Sequence, residues 1–127
     1  MKVAVLIARI LLGFIFVFFG LNGLHPFLPM PPPPPGLVGQ FMGVFFASHW
    51  VYVIAALQVI GGLLVLINRY TVLGLTILGP IIFNILTFHI LMDPKGIGPG
   101  VLATVLWLFL AWRYRQYFAS LFVQRPQ

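Results

Sequence analysis

Residues 71–94 read TVLGLTILGPIIFNILTFHILMDP, and this stretch decides the fold. It is an apolar run of the length that an α-helix needs to cross a bilayer, about 20 residues. Pro80 and Asn84 fall near its middle, and it ends on His89 and Asp93, the only acidic residue of the chain. At about 100° per residue, Pro80 and Asn84 share one side of the helix with two threonines, whereas His89 and Asp93 lie roughly opposite. The stretch therefore predicts a membrane-spanning helix with two separate polar features.

The composition extends this prediction to the whole chain. The 127 residues are 61% hydrophobic and 6% charged, with a mean hydropathy of +1.10, a balance that no soluble domain of this size presents to water. Four apolar runs are long enough to cross a bilayer: 3–24, 50–68, 72–92 and 97–118. We therefore expect a single all-α domain, residues 1–127, built as a bundle of four transmembrane helices.

The basic residues predict the orientation of this bundle. Only Lys95 falls in the loop after the third span; the others fall on the side of the two termini and the second loop, namely Lys2, Arg9, Arg69, Arg113, Arg115 and Arg125. Under the positive-inside rule we expect both termini to lie in the cytoplasm. Basic residues at helix ends favour the lipid bilayer as partner and do not predict nucleic-acid binding. The first run is long enough to span and lacks a small-residue cleavage pattern, which favours a retained helix over a signal peptide.

The loop after the first span contains two distinct segments. Residues 26–36 include five consecutive prolines and predict a stiff, extended strap on the extracytoplasmic side. Residues 37–48 are apolar but too short to span, so they predict a short interfacial helix that covers the bundle.

Small residues on shared helix faces predict close helix packing. The residues assigned structural roles on this basis, together with the helix-bending proline, are Gly13, Gly20, Gly61, Gly62 and Pro80. Arg9 has two alternatives: its guanidinium extends back to the cytoplasmic headgroups, or it pairs with Gln58 or Thr76 inside the bundle. The same glycine faces could serve a homo-oligomer, because they suit packing between copies as well as within one chain.

Two buried amides are the first candidates for a binding site. Gln58 and Asn84 fall at nearly the same depth in their spans, within about one helical turn. They form either a structural amide pair or, together with His89, the polar contacts of a pocket for a quinone or lipid head. A mostly apolar pocket with a few hydrogen-bonding groups suits a lipid-soluble quinone, and a 16% aromatic content provides rings for stacking.

The histidines offer a second, weaker candidate site. His25, His49, His89 and Asp93 all fall at the outer ends of the predicted helices, where they could bind zinc, iron or copper. They come from separate elements in no recognised metal motif, so we assign no metal site; a haem held by two histidines is weaker for the same reason.

Several chemistries are excluded by what the sequence lacks. Without cysteine, the chain forms no disulfide, thiolate metal site, iron–sulfur cluster or thiol relay. It has no phosphate-binding loop, no dinucleotide fingerprint and only one acid. We therefore expect a protein that is not catalytic on its own.

Three segments together resemble one family. These are ARILLGFIFVFFGLNGLHPFLP from residue 8, ALQVIGGLLVLINRY from residue 56 and LGPIIFNILTFHILMDP from residue 78. The chain resembles the DoxX family of small four-helix bacterial membrane proteins over about residues 7–120. The resemblance implies an association with respiratory or redox systems, since the family takes its name from a subunit of a thiosulfate:quinone oxidoreductase. Many relatives carry an acid before the Gly-Gly pair, where this chain has Gln58, so a membrane-embedded carboxylate is missing here.

The leading functional hypothesis is an accessory component of a membrane redox or respiratory system, with a pocket for a quinone or lipid. Its expected protein partner is a membrane or extracytoplasmic redox protein. Two alternatives are a subunit of a quinone-linked oxidoreductase and a small-solute transporter or channel.

Overall fold

The computed structural model describes residues 1–127 as six α-helices without a β-strand, which confirms the all-α prediction. The helices are α1 (Lys2–Leu24), α2 (Leu37–Ala47), α3 (Trp50–Leu66), α4 (Thr71–Leu91), α5 (Gly98–Arg113) and α6 (Arg115–Phe118). Short 3₁₀ turns, Pro94–Gly96 and Ala119–Phe122, follow α4 and α6.

Helix length and composition indicate a membrane protein. α1 and α4, of 23 and 21 residues, are each long and apolar enough to cross a bilayer. α2 and α3 pass the same test only together, and they meet at an angle of 81°. α5 is apolar but has 16 residues and ends at Arg113, because the chain leaves helical geometry at Tyr114 before the span predicted to reach residue 118 is complete. By these criteria the chain has two membrane-spanning helices, or three if the bent pair is one span.

The four longer helices, α1, α3, α4 and α5, pack in a ring. α1 lies against α3 and α5, and α4 lies against the same two helices. The core between them is aliphatic, and its completely buried side chains are Leu12, Val65, Leu75, Leu78 and Leu110. Each of the four helices contributes to this core, so the ring behaves as one packing unit.

The α1–α3 interface is closed by glycines. A Cβ atom added at Gly13 would lie 2.8 Å from the carbonyl oxygen of Gly62, and one at Gly62 would lie 3.0 Å from the carbonyl oxygen of Gly13. Gly20, seven residues further along α1, makes a similar close approach: a Cβ there would lie 2.9 Å from the carbonyl oxygen of Ala55. Gly61 instead faces α4 and packs against the side chain of Leu78. Backbones that touch in this way leave no room for a side chain between α1 and α3.

Arg9 binds the carboxyl end of α3. Its side chain is buried, and Nη1 donates to the carbonyl oxygens of Val65 at 3.1 Å and Leu66 at 3.4 Å. These carbonyls belong to the last turn of α3, where backbone acceptors lack helical partners and the helix dipole favours a cation. The predicted pairing of Arg9 with Gln58 or Thr76 is not formed, because the guanidinium is buried against the end of α3.

The α4–α5 interface is held apart by an indole ring. Trp107 packs 3.2 Å from the position that a Cβ on Gly79 would take, and its Nε1 donates to the carbonyl oxygen of Leu75 at 2.8 Å. α4 continues as one helix through Pro80, which stands beside this contact on the exposed side. Because the indole lies between the helices, their backbones do not meet as those of α1 and α3 do.

The first loop crosses one end of the bundle. Its start is tied to α1, since the side-chain oxygen of Asn22 accepts hydrogen bonds from the backbone N–H groups of Phe27 and Leu28. The proline strap is exposed and leads to α2, whose Phe41 ring lies 5.1 Å from that of Phe88 on α4. α2 then turns into α3 through His49, which adopts a left-handed backbone conformation with φ 65°.

Candidate functional site: a cavity beneath the first loop

A cavity of about 430 Å³ lies inside the helix ring at the end covered by α2. Helices α1 to α5 all contribute to its wall, which is mostly apolar. The lining residues used below are Phe16, Phe19, Phe45, Gln58 and His89. The volume falls within the range of ordinary small-molecule sites, about 300–1,000 Å³. The residues around it therefore form a candidate binding site.

Gln58 brings an amide to the cavity wall from α3. It is partly exposed and makes no hydrogen bond with another protein side chain or backbone group. An amide carries both donors and an acceptor. Both functions are therefore available to a molecule in the cavity.

His89 supplies an imidazole from the last turn of α4. Its Nδ1 lies 3.0 Å from the backbone carbonyl oxygen of Asp93 and 3.9 Å from the Oδ2 atom of the same residue. A carbonyl oxygen only accepts, so Nδ1 must carry the hydrogen in this bond, and Nε2 of the neutral ring is then an acceptor. Gly96 leaves space for the ring, because a Cβ there would lie 2.9 Å from its Cε1 atom.

Asn84 does not belong to this site. Its side chain is exposed on the outer face of α4, and its Nδ2 donates to the carbonyl oxygen of Pro80 at 2.8 Å. The amide pair with Gln58 is not formed. A similar predicted depth does not fix the direction of a side chain, and the helix wheel already separates Asn84 from His89, which lines the cavity.

The outer histidines do not gather into a metal site. His25 is exposed at the end of α1, and His49 is exposed with its ring stacked 5.5 Å from that of Tyr52. Of the four candidates, only His89 and Asp93 meet, and no group of three histidine, aspartate or glutamate residues could hold a metal ion. Their positions at helix ends did not imply a common location across the bundle.

Aromatic side chains complete the cavity and were not assigned to it from the sequence. Phe16 and Phe19 enter from α1, and Phe45 enters from α2 together with Met42. Phe45 and Met42 are three residues apart, a spacing that puts both on one face of α2. That spacing was a usable signal, but the target of the face depended on the 81° turn between α2 and α3.

The cavity combines a large apolar surface with a few hydrogen-bonding groups. It offers flat rings and aliphatic walls for an apolar body, with one amide and one imidazole for hydrogen bonds. It holds no pair of carboxylates and no nucleophile beside a base. A flat, lipid-soluble molecule with two hydrogen-bonding atoms matches this set of groups.

Comparisons of the chain with protein-family models, curated proteins and solved structures found no match. The fold and the cavity define the class: an all-helical membrane protein with an apolar cavity under α2.

Proposed function

We propose that the protein is a DoxX-type accessory component of a membrane redox or respiratory system that binds a quinone in the cavity beneath α2. The proposal includes four membrane-crossing helices in the bacterial inner membrane, α2 at the extracytoplasmic surface and both termini in the cytoplasm. The ring of α1, α3, α4 and α5 supports this topology. At about 1.5 Å per residue α3 and α5 are about 25 Å and 24 Å long, somewhat short of a hydrocarbon core of about 30 Å.

One observation carries the proposal: Gln58 and His89 line the same cavity as three phenylalanine side chains. A quinone needs contacts for its ring and hydrogen-bonding partners for its oxygens. The rings of Phe16, Phe19 and Phe45 could contact its faces, while the amide and the imidazole reach its oxygens.

The bond from His89 to the backbone of Asp93 also gives a preference between redox forms. With Nδ1 donating to that carbonyl, Nε2 of the neutral imidazole accepts a hydrogen bond from a hydroxyl group. A quinol has such hydroxyl groups, whereas a quinone has only acceptor oxygens. With a neutral His89 ring the site favours the reduced molecule, and Gln58 is able to donate or accept at the other oxygen.

The direct experiment measures binding of a decyl-substituted benzoquinol and its oxidised form to the purified protein by equilibrium dialysis. We expect tighter binding of the quinol, and a weakening of about fivefold for Gln58→Leu and for His89→Phe, the effect of one lost hydrogen bond. Asn84→Leu is the matched control, because this amide is on the outer face, and it should change the affinity by less than about twofold. Absence of binding, or equal losses in Gln58→Leu and Asn84→Leu, would rule out the site.

The two alternative functions predict different observations: a redox partner for the oxidoreductase subunit, and a continuous path of polar residues for the transporter. A subunit of a quinone-linked oxidoreductase should co-purify in a fixed ratio with a protein that carries its own redox centre, whereas an accessory component should associate with such a protein only loosely. A small-solute transporter has less support: Thr76, Asn84 and Thr87 lie on α4 outside the cavity wall, and each bonds to a carbonyl of its own helix.

A further inference from the structure

A second and larger space lies between α4 and α5. This groove has a volume of about 740 Å³ and is separate from the cavity under α2. Its walls include Thr76 and Phe83 from α4 and Thr104 and Leu108 from α5. Part of its wall comes from the segment that follows α5, including Arg115, Phe118 and Phe122.

Nearly all of the groove is without free hydrogen-bonding groups. The hydroxyl of Thr76 donates to the carbonyl oxygen of Val72, and that of Thr104 donates to the carbonyl oxygen of Gly100. The indole N–H of Trp107 is taken by the carbonyl oxygen of Leu75. The groove is therefore apolar along its length, which suits a hydrocarbon chain.

Arg115 gives one end of the groove a positive charge. It is exposed, its guanidinium lies 4.9 Å from the centre of the Trp112 ring, and Nη1 donates to the carbonyl oxygen of Trp112 at 2.8 Å. These contacts orient the side chain while its remaining N–H donors stay available. The only acidic side chain, Asp93, lies beyond the opposite end of α4, so no side-chain carboxylate neutralises Arg115.

The length of the groove matches one leaflet of a bilayer. α4 and α5 run antiparallel, since Trp107 meets Leu75 whereas Gly100 meets Ile85. The wall residues of α4 extend from Thr76 to Leu86, about 15 Å at 1.5 Å per residue. This is half of a hydrocarbon core of about 30 Å, the depth that one acyl chain occupies.

We propose that the groove binds an anionic phospholipid, with an acyl chain against α4 and α5 and the phosphate at Arg115. The apolar length, the single charged end and the leaflet-sized span together fit an amphiphile of negative charge. Arginine can donate two parallel hydrogen bonds to a phosphate. A zwitterionic lipid also carries a phosphate, so the preference for an anionic lipid comes from its net negative charge. This inference is independent of the quinone proposal because it uses no residue of the cavity under α2.

Native mass spectrometry tests this site with phosphatidylglycerol and phosphatidylcholine of identical acyl chains. The protein in detergent micelles should retain the anionic lipid about fivefold more than the zwitterionic one, the effect of one basic side chain near an anionic headgroup. Arg115→Gln should remove that preference. Arg69→Gln is the matched control: it is an exposed arginine at the same end of the bundle but outside the groove, and its variant should keep the preference.

A second pair of variants tests the acyl-chain part of the groove. Ala111→Phe places a ring in the groove and should lower retention of both lipids, whereas Val105→Phe, on an exposed position of α5 outside the groove, should not. Equal retention of the two lipids by the unmodified protein would overturn the proposal, as would equal effects of Arg115→Gln and Arg69→Gln. A lipid-free dimer as the main species would overturn it too, because a second copy would then be the occupant of this face. Arg115 is exposed, so its variant decides the question even if Ala111→Phe fails to fold.

Discussion

The α1–α3 interface and the α4–α5 interface belong to one ring of helices but are built from residues of opposite size. Between α1 and α3, Gly13 and Gly62 bring the two backbones into contact, and Arg9 bonds to the end of α3. Between α4 and α5, Trp107 stands against Gly79 and keeps the helices apart. The first interface is closed over its length, and the second has an outer groove of about 740 Å³.

The difference shows how residue size at an interface between apolar helices determines whether a groove remains between them. In lipid, apolar side chains gain little by leaving the solvent, so helix association depends on packing and on hydrogen bonds. Small residues on both partners give contact between backbones. A large residue against a small one gives a contact at one point with free volume beside it. The two interfaces can be compared directly by substitutions that affect one and not the other.

Gly62→Val should have the largest effect on stability. The added Cβ would lie 3.0 Å from the carbonyl oxygen of Gly13, and backbone cannot move aside as a flexible side chain can. We expect a loss of about 3 kcal/mol in the free energy of unfolding, the upper part of the range for overpacking. Unfolding of the purified protein in micelles, followed by circular dichroism, measures it.

Gly43→Val is the control for this substitution. Gly43 lies on α2, and a Cβ there would meet nothing within 4 Å. Its effect should stay within about 0.5 kcal/mol, as for other surface changes. Similar losses for the two variants would mean that α1 and α3 are not in backbone contact.

Arg9→Met should have the next largest effect. The substitution keeps an unbranched side chain but leaves the carbonyl oxygens of Val65 and Leu66 without their cationic donor. A loss of about 2 kcal/mol is expected, from hydrogen bonds to a charged group at a helix carboxyl end. The same unfolding measurement applies, with the exposed Arg69→Met as its control at about 0.5 kcal/mol or less. An Arg9 that only reached the headgroups would behave like Arg69.

Trp107→Phe should have a smaller effect on the α4–α5 interface. Phenylalanine keeps a ring beside Gly79 but removes the N–H that bonds to the carbonyl oxygen of Leu75. The expected loss in the free energy of unfolding is about 1 kcal/mol. Trp112→Phe, at a position that is 51% exposed, should cost less in the same assay. A larger cost at Trp112 would contradict the assigned role of Trp107.

Counting residues gives the position of each polar side chain along its helix, but it does not show which way the side chain faces across the bundle. Helical periodicity separated Asn84 from His89, because the angle between two residues of the same helix follows from their spacing in the sequence. It could not relate Gln58 on α3 to Asn84 on α4, since the rotation of each helix depends on packing between chain segments. Glycine contacts such as Gly13 with Gly62 set that rotation, and a sequence pattern gives only one side of each contact.

Two long side chains show the same limit. Arg9 was predicted to extend to the headgroups or to pair with Gln58 or Thr76, and in the structure it bonds to backbone carbonyls whose position depends on where α3 ends. Trp107 belongs to an aromatic and basic segment typical of a membrane boundary, yet its indole lies between two helices. In both cases the partner is a main-chain oxygen, which the identity of a side chain does not reveal.

The most direct measurement of the difference between the two interfaces is tryptophan quenching by lipids with brominated acyl chains. With Trp50 and Trp112 replaced by phenylalanine, Trp107 is the only tryptophan; a second protein carries its only tryptophan at Phe16, which is 3% exposed and packs in the core. In vesicles of brominated phosphatidylcholine, we expect strong quenching of Trp107 and weak quenching of the tryptophan at position 16. Equal quenching of the two, or an unquenched Trp107, would contradict an α4–α5 interface that is open to acyl chains.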